Sequence, residues 1–522
     1  MALNYGNRIV EDGIVFHLDF ANRKCFAPNI LNYSHWTVGS GGVSFDARYG
    51  VTVYQQNGVT EENTRVLGSD PFGYANAVVW RSQNSDAASN AEGGWNSGDF
   101  AIDTAKLYRF SVWTKRDAMT AGGANSGSFY LGTYPKDSFG VPTFSIAKGT
   151  GALVDYSAGG PYFHVTPNPN PSILPSVQAP YLGGIDTWSL VVGHVWPTGT
   201  TTGVNLPGTD INGLASNPHH PDSGVWTRSN GKIGNLFSGN GEFVWYPPTK
   251  TCFHRTYFFY AVDLTSVQSF IYPRVDIVDG LEPTIEELLA GPEPIRDLSK
   301  NQNVLYPLST TDFDTAGRGL NFRGTDAGII RGTMSVTGQF APFRVDTLSI
   351  WFSTTSTIGA GFAGQNVLQF GPTSSANNMV IAVGEYTGAG TNEVVSVFTD
   401  LTSTGGTQNM TYFASTTFAF QAGVWYNLVL SWSGTKYSMY INGTEVDTLA
   451  GGGGFGSRHA ALYTNVTMAH IGSAATTSGG VFNPYASNFN GKIGSVMVYE
   501  RSLTPGEVLD NFNGMKQKYG LI

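Results

Sequence analysis

Cysteine is nearly missing from this chain. Cys25 and Cys252 are the only two in 522 residues, too few for the disulfide framework of a small secreted scaffold, and the expected state is two reduced, partly buried thiols. Charge is scarce as well: Asp, Glu, Lys and Arg make up 13%, about half the usual share of roughly 25%. The net charge of −9 argues against a broad electrostatic grip on nucleic acid or on an anionic membrane. No apolar run approaches the roughly 20 residues that span a bilayer, so membrane insertion is not expected. The opening residues, Met1 to Arg8, lack the apolar stretch of a secretory signal. The expectation is synthesis in a cytoplasm and release by lysis. No period of 20 to 50 residues repeats, which excludes a solenoid or propeller.

What is present is glycine (66 residues), aromatics (13%) and a hydrophobic share of 41%. That profile belongs to a rigid all-β protein with many tight turns, because disorder needs fewer apolar residues and more charge. The length predicts two or more domains, each able to bury a core. After a turn at Asp12-Gly13, residues 14–18 alternate as a strand, with Ile14, Phe16 and Leu18 on one face and Val15, His17 and Asp19 on the other. From residue 29 to about 272 the pattern is short strands between Gly, Pro, Asn and Ser clusters, at 50–54, 75–81, 107–113, 128–133, 188–196, 242–246 and 256–262. Such spacing predicts a sandwich or jelly roll. The proline-rich stretch 161–180 and the polar stretch 198–223 read as surface loops. A last strand at 270–278 and a short helix at 283–289, stopped by Gly291-Pro292, close this region.

Beyond residue 294 the strands lengthen, at 347–353, 366–370, 379–383, 394–399, 410–413, 425–433, 436–441, 468–472 and 492–499. Asn442-Gly443 is a tight hairpin turn, and 451–456 is a glycine-rich loop. Thr504-Pro505 starts a terminal helix, with Thr504 as N-cap, Pro505 in the first helical position, and Val508, Leu509 and Phe512 at helical spacing.

Four segments carry a resemblance: Gly423 to Trp432 (GVWYNLVLSW), the hairpin Tyr437 to Gly443, Ala469-His-Ile-Gly472, and Asn490 to Tyr499 (NGKIGSVMVY). With the helical tail after Leu503 they resemble the concanavalin A-like, laminin-G-type jelly roll, in the variant found in bacteriophage virion proteins. The resemblance also covers Asp12 to Asn22, Arg296 to Asn303 and Arg318 to Gly324. It therefore implies one discontinuous domain, residues 1–28 and 294–522, with residues 29–293 inserted in its first loop. Domain insertion is tolerated where chain ends lie close on a surface. The strand at 14–18 is then expected in the same sandwich as 492–499. The inserted stretch, with Asn29-Ile-Leu, Lys106 to Trp113 and Tyr272 to Asp276, resembles the galactose-binding-like jelly roll of carbohydrate-binding modules. The expected fold class is all-β, two antiparallel β-sandwich or jelly-roll domains.

Catalytic chemistry finds little support in the residues. A glycosidase on a concanavalin-like fold needs two carboxylates across the cleft, and the laminarinase-type Glu-x-Asp-x-x-Glu run is missing. Glu286-Glu287 and Asp276 with Asp279 are weak substitutes. There is no Gly-x-Ser-x-Gly elbow and no P-loop. His219-His220-Pro-Asp222 offers metal-type ligands, yet adjacent histidines on an extended loop point apart, and a solvated loop is the stronger reading. His17, His254 and His470 read as strand residues with satisfied hydrogen bonds. No metal or cofactor is expected. Aromatics are the better lead, since sugar rings stack C–H faces on Trp and Tyr. The candidates are Trp95, Tyr134, Trp196, Trp226 and Tyr246, each weighed against a plain core or interface role. Trp113, Trp188, Trp351, Trp425 and Trp432 lie in strands and read as structural.

The resemblance implies a non-enzymatic virion structural protein, a capsid decoration or a neck or tail fibre or spike, presenting lectin-like surfaces. Its expected partners are other virion proteins, copies of itself as a trimer or higher oligomer, and host cell-surface glycans. A carbohydrate-active depolymerase and a bacterial surface adhesin are the alternatives.

Overall fold

In the computed structural model the described residues are 9–33, 36–44, 52–86, 90–118, 126–156, 160–163, 165–166, 184–202, 219–236, 241–307, 312–313, 318–324, 330–333, 344–359, 364–371, 378–384, 393–401, 406–414, 418–450, 466, 468–472 and 487–522. The glycine-rich loop 451–456 lies outside them, as does most of 161–180 and of 198–223. The chain divides into two compact units, residues 1–27 with 292–522, and residues 28–291.

The first unit is a sandwich of antiparallel sheets. Among the described residues one sheet has eight strands, centred on Thr347–Thr354 between Asn490–Tyr499 and Trp425–Trp432; the facing sheet has nine. Two short strands share one edge of Asn490–Tyr499 end to end. Leu320–Arg323 pairs with residues 490–493, and Ile14–Asp19 pairs with residues 495–499. The first strand of the chain thus sits in the sheet of the last, across almost 480 residues. The partnership is reinforced where residues 296–303 run beside the first strand: Arg296 N donates to the Cys25 carbonyl (2.8 Å) and Leu298 N to that of His17 (2.8 Å). The buried Asp297 carboxylate accepts from His17 N (2.8 Å) and Ser299 N (2.9 Å).

The strict alternation expected for residues 14–18 fails at one point. A register shift between Ile14 and Phe16 turns Val15 into the core beside Phe16 and Leu18, while Ile14 packs with the cluster under the terminal helix. A bulge adds one residue to one strand, so the faces exchange across it.

The helix Pro505–Met515 has the expected cap: Thr504 accepts from Glu507 N and the Glu507 side chain reaches back, a capping box with Pro505 in the first turn. Its docking face is the expected one turned by part of a turn: Phe512 stacks on Trp351 (5.7 Å) as apolar spacing suggests, but Leu509 does not dock. Val508, Asn511 and Met515 are buried, whereas Leu509 is 45% exposed. Asn511 earns its place by bonding: its Oδ1 accepts from Val10 N (2.6 Å) and its Nδ2 donates to Tyr499 Oη (3.0 Å). The chain then turns through Lys516–Tyr519 and lays Tyr519 on Trp351 (centroids 4.4 Å) and Trp425 (4.7 Å). Gly494 makes room for that ring, since a Cβ there would stand 2.3 Å from Tyr519 Cε1.

The second unit has its own core and two main sheets, of twelve and five strands among the described residues. The larger contains, side by side, Asn63–Gly68, Ala77–Gln83, Val267–Ile277, Tyr108–Ala118 and Ser189–Trp196. The smaller contains Ala91–Ser97 and Ser126–Lys136 on either side of Thr251–Ala261. Aromatic side chains fill the space between them. Trp36 packs edge-on to Tyr54 (5.1 Å) and Trp80 (5.5 Å), and His254 lies nearly parallel between Trp95 (5.0 Å) and Phe110 (5.7 Å). Arg109, on the central strand, is buried too, and forks onto the Asp276 carboxylate at 2.7 and 3.1 Å. Both faces of that strand are therefore covered along much of its length, which is why its alternation of polar and apolar residues does not mark inside from outside. The short helix Ile285–Ala290, capped by Thr284, closes the unit.

Candidate functional site

The outer face of the larger sheet in the second unit carries a groove of about 280 Å³ lined by Val66, Gly68, Ser69, Val79, Arg81, Lys115, Asp117, Trp188 and Ser269. This is the lower end of small-ligand sites, which run roughly 300–1,000 Å³. Strand pairing builds it. Arg81 is opposite Ser269, and Ser269 is opposite Lys115, so three polar residues from three strands form one row. The neighbouring row is apolar: Val66 is opposite Val79, and beyond them Ile271 is opposite Trp113. Side chains alternate by two along a strand, so each strand contributes one residue to each row. The result is a polar ledge beside an apolar floor.

Trp188 stands at the start of Ser189–Trp196. Its Nε1 donates to the Ser69 carbonyl (3.1 Å), which fixes the indole at the rim. The Lys115 ammonium sits 5.4 Å from the indole centroid, close enough for a cation–π contact. Lys115 also donates to Asp186 (2.6 Å) and pairs with Asp117 (2.9 Å), and Ser269 Oγ donates to Asp117. Burial works against the Lys115 charge, but the bonds to Asp186 and Asp117 outweigh it and its pKa is raised. Arg81 is the exception in this network: among the described residues no side chain or carbonyl meets its guanidinium.

The five aromatics singled out from sequence lie elsewhere in the same unit, and none lines the groove. Trp95 is a correction. It is 0% exposed, enclosed by Trp36, Tyr54 and His254, and has no face left for a sugar. The glycines before it are the reason: a Cβ at Gly94 would stand 2.2 Å from the Thr256 carbonyl, so Gly93-Gly94 lets two backbones close over the indole instead of forming an exposed loop. Tyr134 is half-buried, stacked on Phe253 at 4.4 Å with Tyr156 edge-on at 5.3 Å. Tyr246 is half-buried against Phe144 (5.8 Å). Trp226 donates to the Asp222 carbonyl (2.8 Å) under Lys232. Trp196 donates to Glu242 (2.6 Å) under Lys148. The segment 219–223 brings these last two into one neighbourhood.

His219 and Ser223 of that segment are buried while Pro221 is exposed, which corrects its reading as a solvated loop at those two positions. Glu242 is fully buried and draws the polar groups in: its carboxylate accepts from Trp196 Nε1, from His220 N (3.1 Å) and from Ser223 Oγ, with His194 Nδ1 at 3.4 Å and His219 Nδ1 at 3.5 Å. Burial alone would raise the carboxyl pKa, but the two imidazoles outweigh it and hold it well below the usual carboxylate range. His220 stacks on His194 at 4.0 Å, and burial with that neighbour lowers its pKa to about 4. Among the described residues no group of three or more His, Cys, Asp or Glu side chains is placed to hold a metal ion. Ser223 bridges His194 (2.7 Å) and Glu242 but is 0% exposed. A nucleophile needs access to its substrate, so this trio serves as a buried brace between strands.

The weak carboxylate pairs are engaged elsewhere. Asp276 is locked between Arg109 and Arg274, and Glu287 caps its own helix. Both cysteines are free and buried, and burial pushes the Cys252 thiol up to about 12.

Residues 331–509 match the family model described as the concanavalin A-like lectin/glucanases superfamily. They fall within the first unit and carry all four segments on which the sequence resemblance rests. No curated protein matches the chain. Similar solved structures include the CBM40 domain of the Ruminococcus gnavus IT-sialidase bound to alpha2,3 sialyllactose, at 20% identity over 32% of this chain and 81% of that one, TM-score 0.24. Domain 4 of AbnA, a GH43 extracellular arabinanase from Geobacillus stearothermophilus in complex with arabinotriose, matches at 17% identity over 39% and 81%, TM-score 0.26. The binding domain of botulinum neurotoxin DC in complex with SialylT matches at 12% over 42% and 48%, TM-score 0.30. At these identities and scores the likenesses say nothing of function. The chain is an all-β protein that contains a concanavalin A-like domain.

Proposed function

We propose that this protein binds glycans without cleaving them, through the groove on the second unit. The carrying observation is the pair of rows, Arg81–Ser269–Lys115 beside Val66–Val79, under the fixed indole of Trp188. A pyranose ring presents C–H faces and equatorial hydroxyls at once, and a polar ledge beside an apolar floor meets both. Among the described residues Asp117 is the one carboxylate lining the groove, and it is already paired with Lys115. Glycoside hydrolysis needs two, which favours binding over catalysis. A glycan array probed with the full chain and with Trp188→Ala tests this reading. The expected result is a defined set of bound glycans, with affinity falling about tenfold or more in the variant, each factor of ten being about 1.4 kcal/mol. Equal binding by both proteins refutes it, and release of reducing sugar from a bound polysaccharide turns it toward a depolymerase.

The sequence resemblance extends the proposal to place: a virion appendage, assembled with other virion proteins as a trimer or higher oligomer and released by lysis, that meets host-surface glycans. Mass spectrometry of purified virions checks this, and absence from particles refutes it.

A further inference from the structure

Charge within the groove is unevenly spent. Lys115 faces two carboxylates, Asp117 at 2.9 Å and Asp186 at 2.6 Å, and its side chain is 16% exposed. Asp117 takes a further hydrogen bond from Ser269 Oγ. These groups satisfy one another and offer little to a ligand. Arg81, one strand away on the same row, is half-buried, and its guanidinium has no partner among the described residues. A guanidinium carries five N–H donors and no acceptor, in a planar fork that matches a carboxylate with two parallel bonds. That fork is unfilled by the described protein groups, and an anionic ligand can take both of its parallel donors where a neutral one cannot.

We infer that the groove selects glycans bearing a carboxylate, the chemistry shared by uronic-acid and sialic-acid sugars, with the carboxylate on Arg81 and the ring over Val66 and Val79. The inference rests on the glycan-binding reading and goes beyond it by naming the charged group that is recognised. The paired Lys115 contributes position, holding Trp188 and Asp117 in place, and Arg81 contributes selectivity.

Isothermal titration calorimetry of the full chain with two matched pairs tests it: tetragalacturonate against its methyl ester, and 3′-sialyllactose against lactose. The pair that responds identifies the source of the carboxylate. The expected result is that one acid binds about tenfold or more tightly than its neutral counterpart. Arg81→Gln should bring that ratio close to one, and Arg81→Lys, which keeps the charge and loses the fork, should fall between. Because Arg81 pairs with no group among the described residues, neither variant should move the thermal unfolding midpoint, so a lost preference is not a lost fold. Equal binding of acid and neutral partner, or a preference that survives Arg81→Gln, overturns the inference and leaves glycan binding standing. No binding to any of the four, with an empty glycan array, overturns both.

Discussion

Replacing His254 by Phe should change how the second unit responds to acid. The imidazole is 0% exposed, lies between the rings of Trp95 and Phe110, and neither ring nitrogen has a hydrogen-bond partner among the described residues. Burial alone lowers its pKa from 6.5 to about 3. The folded state therefore holds this histidine neutral while the unfolded chain titrates normally. As pH falls below 6.5 the unfolded state takes up a proton that the folded state refuses, and stability drops until the folded group also protonates near pH 3. From pH 6.5 down to about 3, at about 1.4 kcal/mol per pH unit, this amounts to about 5 kcal/mol. The stabilising contribution is complete above pH 6.5 and lost below it. Phe keeps the stack and removes the proton site, at a packing cost of about 1–3 kcal/mol for the larger ring. Urea unfolding of the full chain and of His254→Phe at pH 7.5, 6, 5 and 4, read by tryptophan fluorescence, measures the difference; other titrating groups cancel. The variant should gain on the natural chain by about 1.4 kcal/mol for each unit below pH 6. A difference that stays constant from pH 7.5 to 4 refutes the reasoning.

Two further perturbations bear on the first unit. Tyr519→Ala removes a ring stacked on Trp351 and Trp425 and should cost about 3–5 kcal/mol in urea unfolding; Tyr519→Phe should be close to neutral, since the buried hydroxyl has no partner among the described residues. A chain joining Phe26 to Ile295 through a short glycine linker should fold with the circular dichroism of an all-β protein, because Arg296 N already bonds the Cys25 carbonyl. An unfolded product counts against residues 29–293 being an insertion.

Strand, turn and cap were written locally and were legible. The Thr504 cap is found where the residues place it, and the strand 14–18 lies beside 495–499 as the resemblance implied. Errors arose wherever burial depends on distant partners. Trp95 read as a loop aromatic because Gly93-Gly94 signals a turn, but two backbones close there. His219 and His220 read as solvated because Glu242 is 22 residues on and its carboxylate gathers them. Trp188 read as a structural strand aromatic, and its place at the groove rim follows from pairing that no local pattern shows.

By itself the sequence determined the β class, the turns, the terminal helix and the resemblance of residues that fall within 331–509, since all of these follow from alternation, caps and short motifs. Only the tertiary structure decided the site. Arg81, Ser269 and Lys115 are far apart in the chain and meet through cross-strand register. Register is set by how whole strands pair and which faces they bury, and no local pattern carries that information. The same holds for the charge of the groove: Lys115 and Arg81 are equivalent in a sequence, and only their neighbours show that one is spent and the other available.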